Sequence, residues 1–334
     1  MHVIRHLEDR PEAALGGAVA IGNFDGVHRG HAALIRKLVE RARAARGPAV
    51  VFTFDPHPVR LLRPAECPPP LTWTERKAQL LAALGVDWVI AYPTDKALLA
   101  LSARDFFQRI VVDALGARAM VEGPNFYFGH NREGTIDVLR GLTAEAGLSL
   151  DIVPPIEVEG ELVSSSRVRR LVAEGAVGPA ARLLTAPYRV RGLVSHGAGR
   201  GAQIGFPTAN LAGIDTLLPA HGVYAGVGRL GDQRWPAAVN VGPNPTFGEH
   251  ETKVEAHLVG CDEALYGQTL EVDLLEHLRE IRPFASAELL AQQLKSDIAS
   301  ALDVYRRFLE SRASNLEAEG FSQSRGGAEK DETK

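Results

Sequence analysis

The sequence has very little cysteine and no long apolar run. Its 334 residues include two cysteines, Cys67 and Cys261, which lie far apart and form no CxxC pair. The chain therefore has neither the cysteine spacing of a zinc site nor that of a disulfide framework. No apolar run approaches the length of a membrane span, and the first residues lack the apolar core of a signal peptide. We therefore expect no membrane partner and a cytoplasmic location.

A surplus of positive charge is also missing. The chain has 37 Lys and Arg against 41 Asp and Glu, which gives a formal net charge of −4. Proteins that bind nucleic acid usually carry a basic surplus or a basic stripe, and neither stands out here. Hydrophobic residues make up 45% and charged residues 23%, as in an ordinary globular protein. We therefore predict small-molecule substrates, no nucleic acid, and a monomer or weak self-association.

The first half of the chain alternates strand-like and helix-like segments. Short apolar runs separated by helical patterns are typical of a parallel sheet covered by helices on both faces. In such sheets, ligands bind at the carboxyl ends of the strands. The segment 72–75 (TWTE) fits a capping box that opens a helix. The predicted strands are 19–21, 49–54, 87–92, 119–121 and 148–153, and the clearest helices are 31–45 and 102–115.

The second half changes character near Pro187. In the run 253–258, Val254, Ala256 and Leu258 alternate with polar side chains, which predicts an antiparallel barrel or sandwich. A helix over 287–309 closes this part, and a polar segment poor in aromatic residues follows it, which predicts a disordered tail. We therefore predict domains over 1–183 and 184–312 and a disordered tail over 313–334. The strand-like runs are 188–194, 223–227, 235–241, 253–258 and 270–275.

The strongest chemical signal is the segment 22–31 (GNFDGVHRGH), between the first predicted strand and the first predicted helix. A helix N-terminus attracts phosphate through its unpaired N–H groups. His28 and His31 are three residues apart, so one helical turn places both imidazoles on one side, where they can donate hydrogen bonds to phosphate. Gly22, Gly26 and Gly30 lack a Cβ and let a nucleotide approach the backbone. The HxGH pattern alone would be a modest signal.

Three further segments accompany this one: 54–58 (FDPHP), 122–129 (EGPNFYFG) and 164–169 (SSSRVR). The segment 22–31 resembles the ATP-binding motif of the nucleotidyltransferase superfamily. With its flanks, it resembles the bacterial bifunctional riboflavin kinase/FMN adenylyltransferase family. The resemblance implies an α/β nucleotidyltransferase-like Rossmann domain in which the FMN phosphate attacks the α-phosphorus of ATP and pyrophosphate leaves. Such chemistry depends mainly on positioning and electrostatics.

By this resemblance, His28 and His31 hold the ATP phosphates, and Arg169 neutralises the leaving pyrophosphate. Asn125 faces the flavin or its phosphate, although Pro124 departs from the family pattern beside it. Plainer interpretations are a turn for 55–58, N-caps for the serines and a solvated Arg169. The other residues that the resemblance assigns are Gly22, Phe24, Asp25, Gly26, Gly30, Ser165 and Ser166 for ATP, and Pro58 and Phe126 for the flavin.

A second group of motifs lies in the other half of the chain. Glycines recur over 197–201 (GAGRG), and 205–210 (GFPTAN) follows; there is no Walker A pattern. The PTAN tetrapeptide resembles the signature of riboflavin kinases, and 222–226, 240–247 and 254–257 follow in that family's order. The resemblance implies a small antiparallel β-barrel domain with a C-terminal helix.

This second resemblance also implies a set of site residues. Thr208 and Asn210 bind Mg²⁺ with ATP, as suits an oxygen-rich site. Glu255 is the general base that accepts the proton of the riboflavin 5′-hydroxyl; its plainer interpretation is an exposed strand carboxylate. The residues assigned to ATP here are Gly197, Gly199, Gly201 and Pro207.

Together these motifs predict one enzyme that phosphorylates riboflavin to FMN and adenylylates FMN to FAD, with ATP as co-substrate. The alternative is a single-activity FMN adenylyltransferase with a flavin-binding second domain, which loss of Thr208, Asn210 or Glu255 would favour. A class I aminoacyl-tRNA synthetase would need a KMSKS-like loop and a basic surface, and neither is present. A non-enzymatic flavin sensor would bind flavin without consuming ATP.

Overall fold

The computed structural model describes residues 2–197, 200–243 and 251–325. The chain forms two compact units: the first comprises 1–170 and 182–186, and the second comprises 171–181 and 187–334. The segment 171–181 packs within the second unit, where a Cβ added to Gly175 would lie 2.8 Å from the Tyr224 hydroxyl. The sequence placed this segment in the first domain, and the domain boundary near 183 stays a prediction.

Six parallel strands form the sheet of the first unit, in the order β1-β4-β3-β2-β5-β6. The predicted parallel sheet is thus confirmed, and the three-residue edge strand β1 was missed because it is too short to show a pattern. The order reverses between β2 and β5, which makes this the switch point where ligands usually bind. The strands are β1 (His2–Ile4), β2 (Ala18–Ile21), β3 (Ala49–Phe54), β4 (Trp88–Tyr92), β5 (Ala119–Glu122) and β6 (Ser149–Ile152).

Both faces of this sheet are buried. Along β3, Val51 belongs to one apolar cluster, with Ile35 and Leu38, whereas Val50 and Phe52 belong to the cluster on the opposite face. The helices of the first half are α1 (Arg29–Ala44), α2 (Pro58–Leu62), α3 (Thr74–Ala83), α4 (Lys96–Leu99), α5 (Ala103–Phe106), which continues as a π-helix over Phe107–Ala114, α6 (Ile136–Glu145), α7 (Ser165–Ala173) and α8 (Val177–Leu183). Shorter elements are the strands β7 (Glu157–Val158) and β8 (Glu161–Leu162), and 3-10 turns at Leu7–Asp9, Glu12–Ala14, Pro64–Glu66 and His130–Arg132.

The predicted capping box over 72–75 is wrong. Helix α3 begins at Thr74, and its N-cap residue Trp73 makes no side-chain capping bond. The Thr72 hydroxyl donates to Asp25 instead. The tertiary partner therefore replaces the local one that the pattern suggested.

The second unit contains a closed antiparallel barrel in the order β10-β13-β12-β11-β14-β9. This confirms the predicted barrel. The short strand β10 was missed, because its four residues follow the Pro207–Thr208 pair and show no clear alternation. The elements are β9 (Tyr188–Ser195), the helical turn α9 (Arg200–Gln203), β10 (Ala209–Ala212), β11 (Gly222–Leu230), β12 (Gln233–Gly242), β13 (Lys253–Leu258) and β14 (Thr269–Arg279).

Helix α10 (Ala287–Arg325) closes the second unit. Asp297 on this helix accepts from Arg279 at 2.7 Å, which ties the helix to β14. The segment 313–325, which the sequence predicts to be disordered, is the last part of this helix. Residues 326–334 lie outside the described part. Among the described residues, no helix is long and apolar enough to cross a membrane.

A buried charge cluster joins three strands of the barrel. The Asp273 carboxylate is wholly buried and accepts from Arg189 Nε at 2.5 Å and from Arg229 Nε at 2.6 Å. Arg189 also donates to Glu271 at 2.6 Å. Both guanidinium groups are mostly buried, so water cannot replace the carboxylate as their partner. The cluster therefore depends on Asp273.

We predict that Asp273→Ala destabilises the barrel by about 3–5 kcal/mol, because two buried guanidinium groups lose their shared carboxylate. Urea unfolding followed by circular dichroism measures the change. Asp303→Ala, which breaks an exposed pair with Arg306, is the control and should shift the midpoint very little. Equal shifts for the two variants would contradict the assigned role of the cluster.

Candidate active sites

The loop 22–27 connects β2 to helix α1 in the first unit. The helix begins at Arg29 with His28 as its N-cap, two residues earlier than the sequence predicts. Phe24 and Val27 have φ values of 46° and 43°, in the left-handed region that a β-branched residue rarely adopts. Both side chains are buried. Such strain persists where the surrounding structure fixes the backbone, as it often does at functional sites.

The two histidines of this loop lie on one side of the first turn of α1, as predicted. Their rings stack with centroids 3.6 Å apart, and His28 Nδ1 accepts from the His31 backbone N–H at 3.2 Å. In neutral His28 the proton therefore resides on Nε2. Burial lowers the pKa of His28 to about 4 and that of His31 well below its usual value. At neutral pH both rings are uncharged hydrogen-bond donors.

Close approaches restrict Gly26 in the loop and Gly30 in the first turn of α1. Gly26 has a φ of 81°, and a Cβ there would lie 2.9 Å from the Leu71 side chain. A Cβ on Gly30 would lie 3.1 Å from the His28 ring. Gly22 lies at the start of the same loop, directly after β2.

Asp25 connects this loop to two other segments. Its carboxylate accepts from the backbone N–H groups of Leu71 and Thr72 at 3.0 and 3.1 Å and from the Thr72 hydroxyl at 3.2 Å. It also accepts from Arg169 on α7, whose Nε donates to the Pro69 carbonyl at 3.3 Å. The carboxylate assigned to ATP is thus occupied by protein donors, and Arg169 is partly neutralised.

The three serines at the start of α7 have different roles. Ser164 Oγ accepts from the Arg167 N–H at 3.2 Å, so Ser164 caps the helix. Ser165 Oγ donates to the Asp25 carbonyl at 2.9 Å, which gives the loop a second link to α7. Ser166 is exposed in the first turn. The plainer interpretation of Ser165 and Ser166 as N-caps is therefore wrong, because Ser164 occupies the capping position.

The residues assigned to the flavin lie in two places. Pro58 opens α2, where His57 Nδ1 accepts from the Val59 N–H at 3.1 Å. Asn125 is exposed in a turn closed by a bond from the Phe126 N–H to the Gly123 carbonyl at 3.2 Å. Pro124 takes the second position of this turn, which proline favours. The departure from the family pattern therefore fits the local backbone.

Glu122 is a site residue that sequence reasoning missed. It ends β5 at the switch point, is buried, and accepts from the Ile21 N–H at 2.8 Å. The β2–β5 ladder pairs only Ala18 and Val19 with β5. Where the strands diverge, the Glu122 carboxyl group accepts the Ile21 N–H in place of a backbone carbonyl. Burial raises the pKa of Glu122 well above its usual value, which favours the protonated, neutral form of its carboxyl group. The sequence signal that could have identified it is a single carboxylate at the end of an apolar strand.

In the second unit, strand register brings three polar side chains together. Glu255 on β13 lies directly opposite Asn210 on β10 and, on its other side, opposite Asn240 on β12. Paired residues point to the same face of a sheet, so the three form a row across adjacent strands. All three are half-buried. The Asn240 Nδ2 is buried and has no hydrogen-bond partner within the described part of the chain.

Loop segments approach this row closely. A Cβ on Gly197 would lie 2.2 Å from the Asn210 amide, and one on Gly201 would lie 2.4 Å from the Phe206 carbonyl. His257 Nδ1 lies 2.8 Å from the Pro207 carbonyl, which joins β13 to the PTAN segment. Gly199 and the segment 244–247 (NPTF) lie outside the described residues.

A cavity of about 160 Å³ adjoins the PTAN segment. Thr208 and Pro207 line it together with Leu258 and the segment 263–266. No group of three His, Cys, Asp or Glu side chains among the described residues is placed to hold a metal ion. Mg²⁺ keeps several waters and phosphate oxygens, so the hydroxyl of Thr208 and the amide oxygen of Asn210 fit it without such a group.

Comparisons with known proteins match both halves of the chain. A family model described as FAD synthetase matches residues 10–167, and one described as riboflavin kinase matches 184–305. The bifunctional riboflavin kinase/FMN adenylyltransferase of Pseudomonas fluorescens is 37% identical over 303 residues, which are 90% of this chain and 97% of that protein. The protein of the same name from Escherichia coli K12 is 34% identical over 307 residues, 91% of this chain and 98% of its own length.

A solved structure extends the likeness to the fold. A crystal structure described as a macrolide-efflux protein from Streptococcus pneumoniae has a TM-score of 0.78 and 31% identity, over 89% of this chain and 96% of that one. The similarity therefore spans both units rather than one of them.

We predict that Glu122→Gln stabilises the protein increasingly as pH rises from 5 to 8. The folded state keeps a proton that the unfolded state releases above about pH 4.5, so the wild type loses up to about 1.4 kcal/mol per pH unit in this window. Glutamine keeps the oxygen that accepts from Ile21. Thermal unfolding of both proteins across this pH range measures the difference.

Glu145→Gln is the matched control. The hydrogen bond from Arg104 lowers the pKa of the exposed Glu145. Glu145→Gln should therefore change the stability only slightly, and should lower it rather than raise it. A pH-independent difference between Glu122→Gln and wild type would contradict the buried neutral acid.

Proposed function

Because this chain belongs to the bifunctional riboflavin kinase/FMN adenylyltransferase family, we propose a role for each residue that its two sites bring together. It is an enzyme of FAD biosynthesis that phosphorylates riboflavin to FMN and adenylylates FMN to FAD. The FAD synthetase match lies in the N-terminal half, and the riboflavin kinase match in the C-terminal half. Both activities use ATP.

The assignment of the adenylyltransferase site depends mainly on the stacked, uncharged histidines. A phosphate oxygen of FMN forms a bond to the α-phosphorus of ATP, the α–β bridging bond breaks, and pyrophosphate leaves. His28 donates from Nε2, and His31 lies against it at the N-terminus of α1. A neutral imidazole still donates its N–H to a phosphate oxygen and so stabilises the negative charge that grows there. The backbone of Gly22, Phe24, Gly26 and Gly30 lines the approach.

Asp25 is assigned an indirect role. Its carboxylate holds the loop against the 71–72 segment and α7, and it orients Arg169. The guanidinium nitrogen of Arg169 that binds neither Asp25 nor Pro69 is left to meet the pyrophosphate. Ser165 fixes the loop through the Asp25 carbonyl, and Ser166 offers an exposed hydroxyl to ATP. The flavin lies with Pro58, Asn125 and Phe126.

Strand register carries the assignment of the kinase site. Glu255 lies beside Asn210, so a base and a metal ligand share one face. The riboflavin 5′-hydroxyl gives its proton to Glu255 as its oxygen bonds to the γ-phosphorus, and ADP leaves. Thr208 and Asn210 would hold Mg²⁺, which would supply positive charge for the phosphate oxygens. Part of ATP occupies the cavity beside Thr208, with Gly197, Gly199, Gly201 and Pro207 near its phosphates.

Several broader features belong to the same proposal. The domains are 1–183 and 184–312, each with one activity, and the enzyme acts in the cytoplasm, where ATP is supplied. It is a monomer or associates weakly, and it uses no nucleic acid. Its substrates are riboflavin, FMN and ATP.

A product assay tests the whole scheme. Purified protein is incubated with riboflavin, ATP and Mg²⁺, and the flavins are separated over time by chromatography. FMN should appear first and FAD should follow. FAD from added FMN without any FMN from riboflavin would instead support the single-activity alternative.

We predict that His31→Ala lowers FAD formation from FMN by about a hundredfold to a thousandfold, because a donor to the transition state is lost. FMN formation from riboflavin by the same sample should continue and serves as the internal control. His31→Gln, which keeps a donor, should lose less. Loss of both activities together would speak against two independent sites.

We predict the reverse for Glu255→Ala. Phosphorylation of riboflavin should fall by about a hundredfold to ten-thousandfold without the general base, while added FMN is still converted to FAD. Initial rates of both reactions on one preparation measure this. Normal riboflavin phosphorylation by the variant would remove Glu255 from the role of base.

A further inference from the structure

A buried lysine of the first unit has no role in the sites described so far. Lys77 on α3 is 8% exposed. Its Nζ donates to Thr53 Oγ1, at the end of β3, at 3.4 Å, and this hydroxyl donates to the Asn23 carbonyl at 3.2 Å. An ammonium group has three donors, and one long bond is a poor replacement for the water it has lost. The arrangement leaves Lys77 able to stabilise a further anion.

The two carboxylates that act on the pKa of Lys77 come from the adenylyltransferase motifs. Asp25 and Asp55 raise the pKa of Lys77, although burial, the larger effect, lowers it. Burial lowers the pKa values of His31 and His57, and the Lys77 charge adds to this effect. Lys77 therefore lies within electrostatic reach of both the HxGH and the DPHP segments.

Most other charges of this cluster are already balanced. Asp25 is paired with Arg169, and Asp55 with Arg5 at 3.0 Å. His28 and His31 are uncharged at neutral pH because burial depresses their pKa values. A nucleotide polyphosphate brings several negative charges to this place. The positive charge that remains largely unneutralised by hydrogen bonds is that of Lys77.

We propose that Lys77 is a positioning residue of the adenylyltransferase site, whose buried ammonium balances the polyphosphate charge of ATP and holds the 22–27 loop through Thr53. This rests on the proposed location of ATP at that loop. The ammonium is connected to the loop by the path from Lys77 through the Thr53 hydroxyl to the Asn23 carbonyl. In a site with little water, such a charge interacts more strongly than it would at the surface.

The proposal has a consequence for pH. A bound polyphosphate favours the charged form of Lys77 and raises its pKa toward or above the ordinary value. Between the lowered pKa of the free enzyme and about 10.5, ATP binding then takes up a proton. The affinity of the adenylyltransferase site for ATP should therefore fall as pH rises through this window. Burial lowers the pKa values of His31 and His57, so both stay neutral in this window and do not mask the effect.

The first experiment compares Lys77→Met with Lys77→Arg. FAD formation from FMN is measured as a function of ATP concentration, and FMN formation from riboflavin by the same sample is the internal control. Lys77→Met should raise the KM for ATP in FAD formation by about tenfold or more and leave the kinase reaction within about twofold. Lys77→Arg should restore part of the loss, because the charge is kept.

Lys96→Met is the matched control, since it removes an exposed lysine of α4 in the same unit. It should behave as wild type in both reactions. Identical KM values for ATP in Lys77→Met and Lys96→Met would overturn the proposal.

A pH profile separates an electrostatic role from mere structural support. In the wild type, the KM for ATP in FAD formation should rise on the alkaline side. In Lys77→Arg this rise should be absent or weaker, because a guanidinium stays charged above pH 12. The same alkaline rise in both proteins would overturn the proposal even if Lys77→Met fails to fold.

His31→Ala distinguishes failure of this inference from failure of the site assignment. If His31→Ala keeps full FAD formation, ATP does not bind at the 22–31 segment and the proposed site is wrong. If His31→Ala loses FAD formation while Lys77→Met matches wild type, the site stands and the role of Lys77 is rejected.

Discussion

The first active site depends on one carboxylate. Asp25 accepts from Leu71 and Thr72 and pairs with Arg169, so it joins the loop after β2 to two segments distant in sequence. The positive φ of Val27 and the early start of α1 follow in the same loop. Backbone strain of this kind is tolerated only where several contacts fix the conformation. Asp25 supplies those contacts and therefore sets where the histidines stand.

Burial then decides the charge of the groups around that loop. Both histidines lose their positive form, and Glu122 keeps its proton while it accepts from Ile21. A site made of neutral donors can receive a polyphosphate without first breaking strong internal ion pairs. The polyphosphate still needs positive charge nearby, and Lys77 and Arg169, which both lie near this loop, can supply it. Phosphoryl chemistry of this type relies on such preorganised groups more than on a side-chain nucleophile.

The second active site uses a different constraint, the register of a closed barrel. Asn210, Glu255 and Asn240 come from three strands and lie side by side because antiparallel pairing aligns them. The buried cluster of Arg189, Arg229 and Asp273 fastens other strands of the same barrel. Closing the barrel leaves no free edge, so the register that assembles the row is held from both sides.

The sequence by itself determined the parallel sheet, the barrel and the order of the motifs, because hydrophobic periodicity and local spacing are enough for these. It also placed His28 and His31 on one side of a helical turn. Only the tertiary structure decided the partners of Thr72, Ser165 and Asp25, and the register that sets Asn210 beside Glu255. The protonation of Glu122 and the burial of Lys77 were hidden for the same reason. A contact between distant segments, and the loss of water that comes with it, leaves no trace in local sequence.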